Sequence, residues 1–436
     1  MSEKWARTVL AAYRFAGAAA FPLVGPYVAW RATKGKEDPN RRRERSGYAG
    51  RPRPEGPLIW AHAASVGETI AIVPLIENIL DLGVNVVLTT GTVTSAQVAD
   101  ERLGDRIIHQ FVPLDLKPAI SRFLNHWQPD LALIAESEIW PMTIMELGLR
   151  RIPQVLVNGR LSERSFNAWQ KRHFIAEALF ENLSHVVAQS DQDAERFETL
   201  GARPVTVSGN LKVDTNPPPV DVRTLQTISR QLSLRPTWAA VSTHDGEERM
   251  AADIHLLLRS RHPGLITIIV PRHPERAPAL AAEFAAMGLK VVKRSSGDRI
   301  RSDTDILLGD TIGEMGLYLR LTEVAFVGRS LTAEGGQNPL EPAMLETAVL
   351  SGRNVQNFRE AYQRLIDGGA AKLVADRDML AGAINFLLLN DAPRRRMMAA
   401  GVATVEEMRG ALGKTMKALE PFIQPLIVKS RLRGTR

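Results

Sequence analysis

The chain has 436 residues, 44% hydrophobic and 24% charged, which is the composition of an ordinary folded protein and too much chain for one compact core; two domains of roughly 150–200 residues are expected. Cysteine is absent, which excludes disulfides, thiolate metal sites and a cysteine nucleophile. The net charge of +7 does not signal nucleic acid: residues 1–53 hold twelve Lys/Arg against four acids, a surplus of eight, so the rest of the chain is close to neutral and has no basic face to offer.

The N-terminus comes first. Residues 15–30 are sixteen uncharged residues, preceded by Trp5, Val9, Leu10 and Tyr13 interleaved with Arg7 and Arg14, and followed by Arg41, Arg42 and Arg43. A spanning helix needs about 20 apolar residues, and Pro22 and Pro26 are expected to break this one, so an anchor lying in or partly entering the bilayer is favoured over a full span. Trp5, Tyr27 and Trp30 are the aromatic types that settle at headgroup depth, and the arginine run suits an anionic cytoplasmic leaflet. The alternative is a helix packed on the protein. A weak charged start and the lack of a small-residue cleavage site argue against a cleaved signal peptide.

From residue 57 to 209 short apolar runs alternate with helix-length segments, the sequence form of βαβ units around a parallel sheet. Strands are expected at 58–63, 85–90, 107–112, 131–135, 154–158, 185–188 and 205–208, with helices at 70–82, 116–127 and 169–183 among those between them. The triple proline in residues 214–220 continues neither helix nor interior strand and reads as a linker. Beyond it strands are expected at 238–242, 265–270, 290–293, 305–308, 324–327 and 348–350. Helical stretches at 378–389 and 392–419 follow, then a basic tail with Lys429, Arg431, Arg433 and Arg436. The resulting division is an anchor and basic segment (1–50), a first Rossmann-like domain (51–213), a linker (214–221), a second such domain (222–405), and a C-terminal helix with its tail (406–436).

Ligands of open α/β sheets bind at the carboxyl ends of strands. In the first half that position is held by residues 65–68, 136–140, 158–162 and 209–212, which makes Ser65, Gly67, Glu68, Glu136, Glu138, Arg160 and Lys212 candidate site residues. Glu68 has two readings here, a general base in the crevice or a first-turn carboxylate that offsets the helix dipole. Two carboxylates, Glu136 and Glu138, at one strand end exceed what a single helix cap requires. In the second half Ser242 and His244 close the first strand, and Pro271, Arg272 and His273 end a continuously apolar one. Arg272 offers a planar fork to phosphate or makes a surface ion pair. Ile312, Gly313 and Glu314 have the same strand-to-loop character. Gly335 and Gly336 allow close backbone approach, and Asn338, Pro339 and Glu341 are expected to open a helix whose N-terminus faces a phosphate. There is no G-x-G-x-x-G after a strand, no G-x-x-x-x-G-K-[ST] and no H-E-x-x-H, so no dinucleotide fingerprint, P-loop or zincin is supported, and no metal is expected.

Seven segments stand in one order: 62–68 (HAASVGE), 136–141 (ESEIWP), 158–162 (NGRLS), 209–214 (GNLKVD), 242–247 (STHDGE), 271–276 (PRHPER) and 335–341 (GGQNPLE). In these the chain resembles the 3-deoxy-D-manno-octulosonic acid (Kdo) transferases of lipopolysaccharide synthesis, from about residue 41 to the last helices. The resemblance implies an α/β protein of the GT-B class, two Rossmann-like parallel-sheet domains facing a cleft, with an N-terminal membrane-anchor helix. It implies an inverting, metal-independent transfer of Kdo from CMP-Kdo to the lipid A precursor, lipid IVA, at the cytoplasmic face of the inner membrane. CMP-Kdo is then a donor substrate and no cofactor is needed; the partners are the lipid acceptor, the CMP-sugar and an anionic membrane surface. By motif, Glu68 is similar to the family's catalytic base, and Glu136 and Lys212 to its transition-state stabilisers. Pro271-Arg272, Ile312-Gly313-Glu314 and Asn338-Pro339-Leu340-Glu341 are similar to its CMP-binding segments. The chain departs from the family pattern at Gln337 (usually His), Arg329 (usually Gly) and Asn354 (often His). A UDP-sugar transferase or epimerase of the same class, and a membrane-bound scaffold without turnover, are the alternatives.

Overall fold

Among the residues described by the computed structural model, 3–434, the apolar runs assemble into two parallel sheets of seven strands each. Side chains are described from residue 8 to 432, so Lys4, Trp5, Arg7, Arg433 and Arg436, which entered the anchor and charge readings, lie outside them. The first sheet contains β1 (Leu58–Ala63), β2 (Asn85–Thr90), β3 (Ile108–Phe111), β4 (Leu131–Ala135), β5 (Gln154–Gly159), β6 (His185–Ala188) and β7 (Val205–Val207), in the order β3-β2-β1-β4-β5-β6-β7. The second contains β8 (Thr237–Thr243), β9 (Ile266–Pro271), β10 (Val291–Lys293), β11 (Ile306–Leu308), β12 (Val324–Val327), β13 (Ala348–Ser351) and β14 (Ala371–Leu373), in the order β10-β11-β9-β8-β12-β13-β14. Every neighbouring pair is parallel.

Two compact units result, one comprising the chain up to Thr215 together with the segment from Arg409 on, the other Asn216–Met408. β1 shows why such strands read as unbroken apolar runs: all six residues are buried, Leu58 and Trp60 against Ile120, Phe123 and Trp127 on one face, Ile59, Ala61 and Ala63 against Ile72, Leu75 and Ile76 on the other. Covering both faces with helices is what permits a parallel sheet at all. The order of the first sheet reverses between β1 and β4, and that of the second between β8 and β12. At such a point the two outgoing loops diverge and leave a crevice at the strands' carboxyl ends.

The C-terminal helix belongs to the first unit. Gly410 adopts φ +108 and breaks the expected single helix into Asp391–Met408 and Ala411–Gly434. Asp214 receives the N–H groups of Gly410 at 2.8 Å and Leu412 at 2.5 Å, and Leu419, Ile423, Leu426 and Ile427 bury themselves in the first unit's core. Each such side chain stabilises by about 1.5–3 kcal/mol. Of the residues read as a basic tail, Lys429, Arg431 and Arg433 lie in this helix's last turns, and Lys429 pairs with Asp130 at 2.8 Å.

At the N-terminus the break expected at the prolines is only a short one. Glu3–Ala20 and Val24–Thr33 are joined by a 3-10 turn, Phe21–Leu23, with Pro22 in its first positions and Pro26 in the first turn of the second helix, where no intrahelical N–H is needed. The stretch Thr8–Thr33 is long and apolar enough to cross a membrane. It also packs on the first unit along a narrow stripe: Leu10, Val24 and Val28 are buried, and Arg14 pairs with Glu146 at 3.0 Å, while Phe15, Leu23, Tyr27 and Trp30 stay exposed. The following basic run is partly committed to the fold. Arg41 donates to both oxygens of Glu44 and to the His109 carbonyl, and buried Arg45 donates to Glu37 and to the carbonyls of Val112 and Gly91. Burial, then these two arginines, push the His109 pKa down to about 3.

The expected helix at 169–183 is two, Glu163–Gln170 and His173–Phe180, and no Gly or Pro between residues 163 and 183 signals the break. β14 is a strand the sequence reading lacks, three residues long at a sheet edge.

Candidate functional site

The first cluster is built where β1 and β4 end. Ser65 caps the helix Val66–Asp81: its Oγ accepts the Glu68 N–H at 3.3 Å, and Glu68 reaches back, Oε1 accepting the Ser65 hydroxyl and Oε2 the Ala64 N–H, both at 2.8 Å. This reciprocal cap fixes the carboxylate in place. Burial pushes the Glu68 pKa above its ordinary value and the Glu136 and Glu138 charges add to the rise, against the two hydrogen bonds that lower it. A capping glutamate surrounded by water alone would shift the other way. Glu68 thus caps the helix while its carboxyl pKa stands above the ordinary carboxylate value.

Glu136 and Asn158 end β4 and β5 in left-handed backbone, φ +53 and +54. Glu136 Oε1 lies 2.5 Å from Lys212 Nζ, with both side chains less than one-fifth exposed. Asn158, fully buried, donates to the same oxygen at 3.5 Å and accepts the Leu211 N–H at 2.9 Å, so one amide ties the end of β4 to the turn Leu211–Val213 that carries Lys212. Glu138 accepts the Trp140 indole N–H at 2.6 Å and stands 3.9 Å from His62 Nε2. Burial raises the Glu138 pKa, but His62 and Trp140 outweigh it and hold the carboxyl below its ordinary value. Ser65 and Gly67 are exposed, with open space where a Gly67 Cβ would stand. Arg160 follows β5, partly exposed, its N–H on the Glu136 carbonyl at 3.5 Å. The ends of β1, β4 and β5 thus gather a carboxylate of raised pKa and the Glu136–Lys212 ion pair.

The second cluster lies where β8, β9 and β12 end. Ser242 has φ +53, and His244 stacks edge-on to His273 with ring centroids 5.8 Å apart. Burial lowers the His244 pKa, and the charges of Arg329 and His273 push the same way. Pro271 is the buried last residue of β9, and Arg272 is exposed, its N–H on the Thr243 carbonyl at 2.9 Å. Beyond β11, Ile312 is 69% exposed and Gly313 has φ +82, while Glu314 is engaged by Arg294 at 2.8 Å and by the Thr311 hydroxyl.

Gly335 and Gly336 have φ +118 and +70, and a Cβ on either would press within 3.0 Å of Asn357 or of the 354–355 backbone, so nothing but glycine fits. The helix expected after them is short. It is Leu340–Met344, five residues capped by Pro339, and its first free N–H, on Leu340, is already taken by Asn338 Oδ1 at 3.1 Å. Asn338 therefore lies before the helix, with its Nδ2 3.4 Å from Glu341 Oε1, and one turn supplies little dipole for a phosphate. Leu340 is fully buried.

Three residues lie inside the quoted motifs but not among the candidate site residues. His62 is buried, its Nδ1 2.9 Å from Thr89 Oγ1 and its Nε2 without a hydrogen-bond partner among the described residues. Asn158 is the tie described above. Glu247, 1% exposed, accepts N–H groups from His244 at 2.9 Å, Arg329 at 2.6 Å, Ser330 at 2.9 Å and Leu331 at 3.1 Å, joining the ends of β8 and β12. Its sequence signals are the quoted segment 242–247 and within it the Gly-Glu step at 246–247, the same step as at 67–68.

Residues 40–215 match the family described as 3-deoxy-D-manno-octulosonic-acid transferase (kdotransferase). Among curated proteins, the 3-deoxy-D-manno-octulosonic acid transferase of Haemophilus influenzae is 34% identical over 92% of this chain and 96% of its own length. That of Bordetella pertussis is 34% identical over 85% of this chain and 89% of its own. Among solved structures, a glycosyltransferase from Rickettsia africae superposes with a TM-score of 0.58 at 12% identity, over 85% of this chain and 99% of that one, which shows the GT-B kind of fold with its two Rossmann-like units.

Proposed function

The chain belongs to the 3-deoxy-D-manno-octulosonic acid (Kdo) transferase family, and from that premise we propose that it moves Kdo from CMP-Kdo to a lipid A precursor with inversion at the anomeric carbon. The observation that supports this most is the first unit's cluster, in which a carboxylate of raised pKa stands within electrostatic reach of the Glu136–Lys212 pair. In this reading Glu68 takes the proton of an acceptor hydroxyl as its oxygen attacks the anomeric carbon. The bond from that carbon to the phosphate oxygen breaks on the opposite face, and CMP leaves with the electron pair. Lys212, steadied by Glu136, meets the negative charge that develops.

The donor is assigned to the second unit: Arg272 to its phosphate, Ile312-Gly313-Glu314 to the nucleoside, and the 335–341 turn to close backbone contact, with Ser242, His244 and His273 beside them. No metal and no cofactor are assigned to the transfer. The exposed aromatic face of residues 8–33 supports a site of work at the membrane, proposed as the cytoplasmic face of the inner membrane, where an acylated acceptor resides.

Incubating the protein with CMP-Kdo and tetraacyl disaccharide bisphosphate and weighing the lipid by mass spectrometry tests this. One or more added Kdo units are expected, and the same product with a chelator present. No Kdo on the lipid, or a UDP-sugar preferred to CMP-Kdo, would overturn the assignment.

A further inference from the structure

Arg329 stands immediately past β12, where the order of the second sheet reverses. Gly328 before it must be glycine, since a Cβ there would lie 2.6 Å from Thr243 Cα and 2.7 Å from the Ser242 carbonyl. Arg329 then takes φ +55, a conformation that disfavours any residue with a Cβ. Glu247 imposes it: its Oε2 accepts the Arg329 N–H, and its Oε1 the next two N–H groups. The backbone is thus over-determined by a buried carboxylate.

The side chain is not similarly engaged. Arg329 Nε donates to the Glu334 carbonyl at 3.0 Å, and neither terminal nitrogen has a hydrogen bond or ion pair among the described residues. The guanidinium lies against the Gly335-Gly336 turn, where a Gly335 Cβ would stand 3.5 Å from Nε and where the Gly336 N–H is held on the Arg329 carbonyl at 2.9 Å. Its charge is felt at His244, across the same strand ends. A planar fork with four N–H donors unengaged among the described residues, on strained backbone at a switch point, is arranged for an oxyanion.

We propose that Arg329 is a donor-binding residue, its guanidinium edge taking an oxyanion of the nucleotide sugar, either the phosphate or the sugar carboxylate. The proposal rests on the reading of CMP-Kdo as donor. Two variants test it in the full chain: R329G, which relieves the backbone, and R329Q, which keeps a donor for the Glu334 carbonyl but removes the charge. CMP binding is read by calorimetry, CMP-Kdo by its KM, and folding by thermal melting.

If the arginine binds phosphate, both variants weaken CMP by about ten- to a hundredfold, the scale of a lost charge-assisted contact. If it binds the carboxylate, CMP binding holds and the KM for CMP-Kdo rises by that factor. In either case R329G melts no lower than the parent, because glycine accepts φ +55 freely. Constants within twofold of the parent for both variants overturn the proposal. So does a loss of affinity in R329G that follows a lower melting temperature and is restored in R329Q, since that marks a structural arginine. Should the parent prefer UDP to CMP while R329G still loses nucleotide affinity, the donor reading falls and the arginine assignment stands.

Discussion

Residues 67–68 and 246–247 are the same two letters, Gly-Glu, placed the same way: a central parallel strand ends, a short corner follows, and the glutamate opens a helix at the point where its sheet reverses order. Their carboxylates meet opposite fates. Glu247 is 1% exposed and takes four backbone N–H groups, so it acts as a staple between β8 and β12. Glu68 takes one N–H and one hydroxyl, remains partly exposed, and faces the charges of Glu136 and Glu138, which with burial raise its pKa. What separates the two carboxylates is the company of each, backbone donors in the case of Glu247 and like charges in that of Glu68.

Removing the two carboxylates breaks the comparison most visibly. Glu68→Gln keeps the shape and most of the cap but abolishes the proton acceptor, so kcat is expected to fall by about 10²–10⁴-fold while CMP affinity and the melting temperature stay near those of the parent. A rate within threefold of the parent would remove Glu68 from the chemistry. Glu247→Ala is expected to act on the fold instead, leaving buried N–H groups unpaired and lowering unfolding stability by roughly 3 kcal/mol, with a raised KM for the donor. Urea unfolding and steady-state kinetics measure both. A Glu247→Ala protein of parental stability would show that the staple is not one.

The sequence was a good guide where structure is local. β1, β2, β4, β6 and β12 have the expected bounds, since strands buried on both faces are bare apolar runs closed by turns. It was a poor guide where the cause lies far along the chain. Asn158 acts through Leu211, 53 residues on, and Glu247 through residues 82 to 84 positions away. No spacing rule reaches that far. The return of the C-terminal helix to the first unit depends in the same way on Asp214 and on a groove only the folded core provides. The prolines at 22 and 26 act more mildly than a full break: a 3-10 turn at Pro22 ends one α-helix and a second begins at Val24 with Pro26 in its first turn, so helical structure resumes within three residues. The strand-end places of the candidate residues were legible, because loops at strand ends read as short polar motifs between apolar runs. Their partners were not.

The smaller effects sharpen the comparison by moving the Glu68 pKa in both directions without touching Glu68. A base must be ionised to accept a proton, so kcat/KM is expected to fall on the acid side through a pH above the ordinary carboxylate range. Glu136→Gln removes the like charge that weighs most on Glu68, which favours the ionised form, so that limb moves to lower pH whatever happens to the plateau rate. Ser65→Ala removes a hydrogen bond to the ionised form, so the limb moves to higher pH, and the lost cap costs about 1 kcal/mol of stability. Opposite shifts from two neighbours are a demanding result, because a general loosening of the crevice would move both limbs the same way. Limbs that coincide with the parent's in both variants would mean that the titrating group is not Glu68, and that the likeness of the two Gly-Glu corners extends to their inertness.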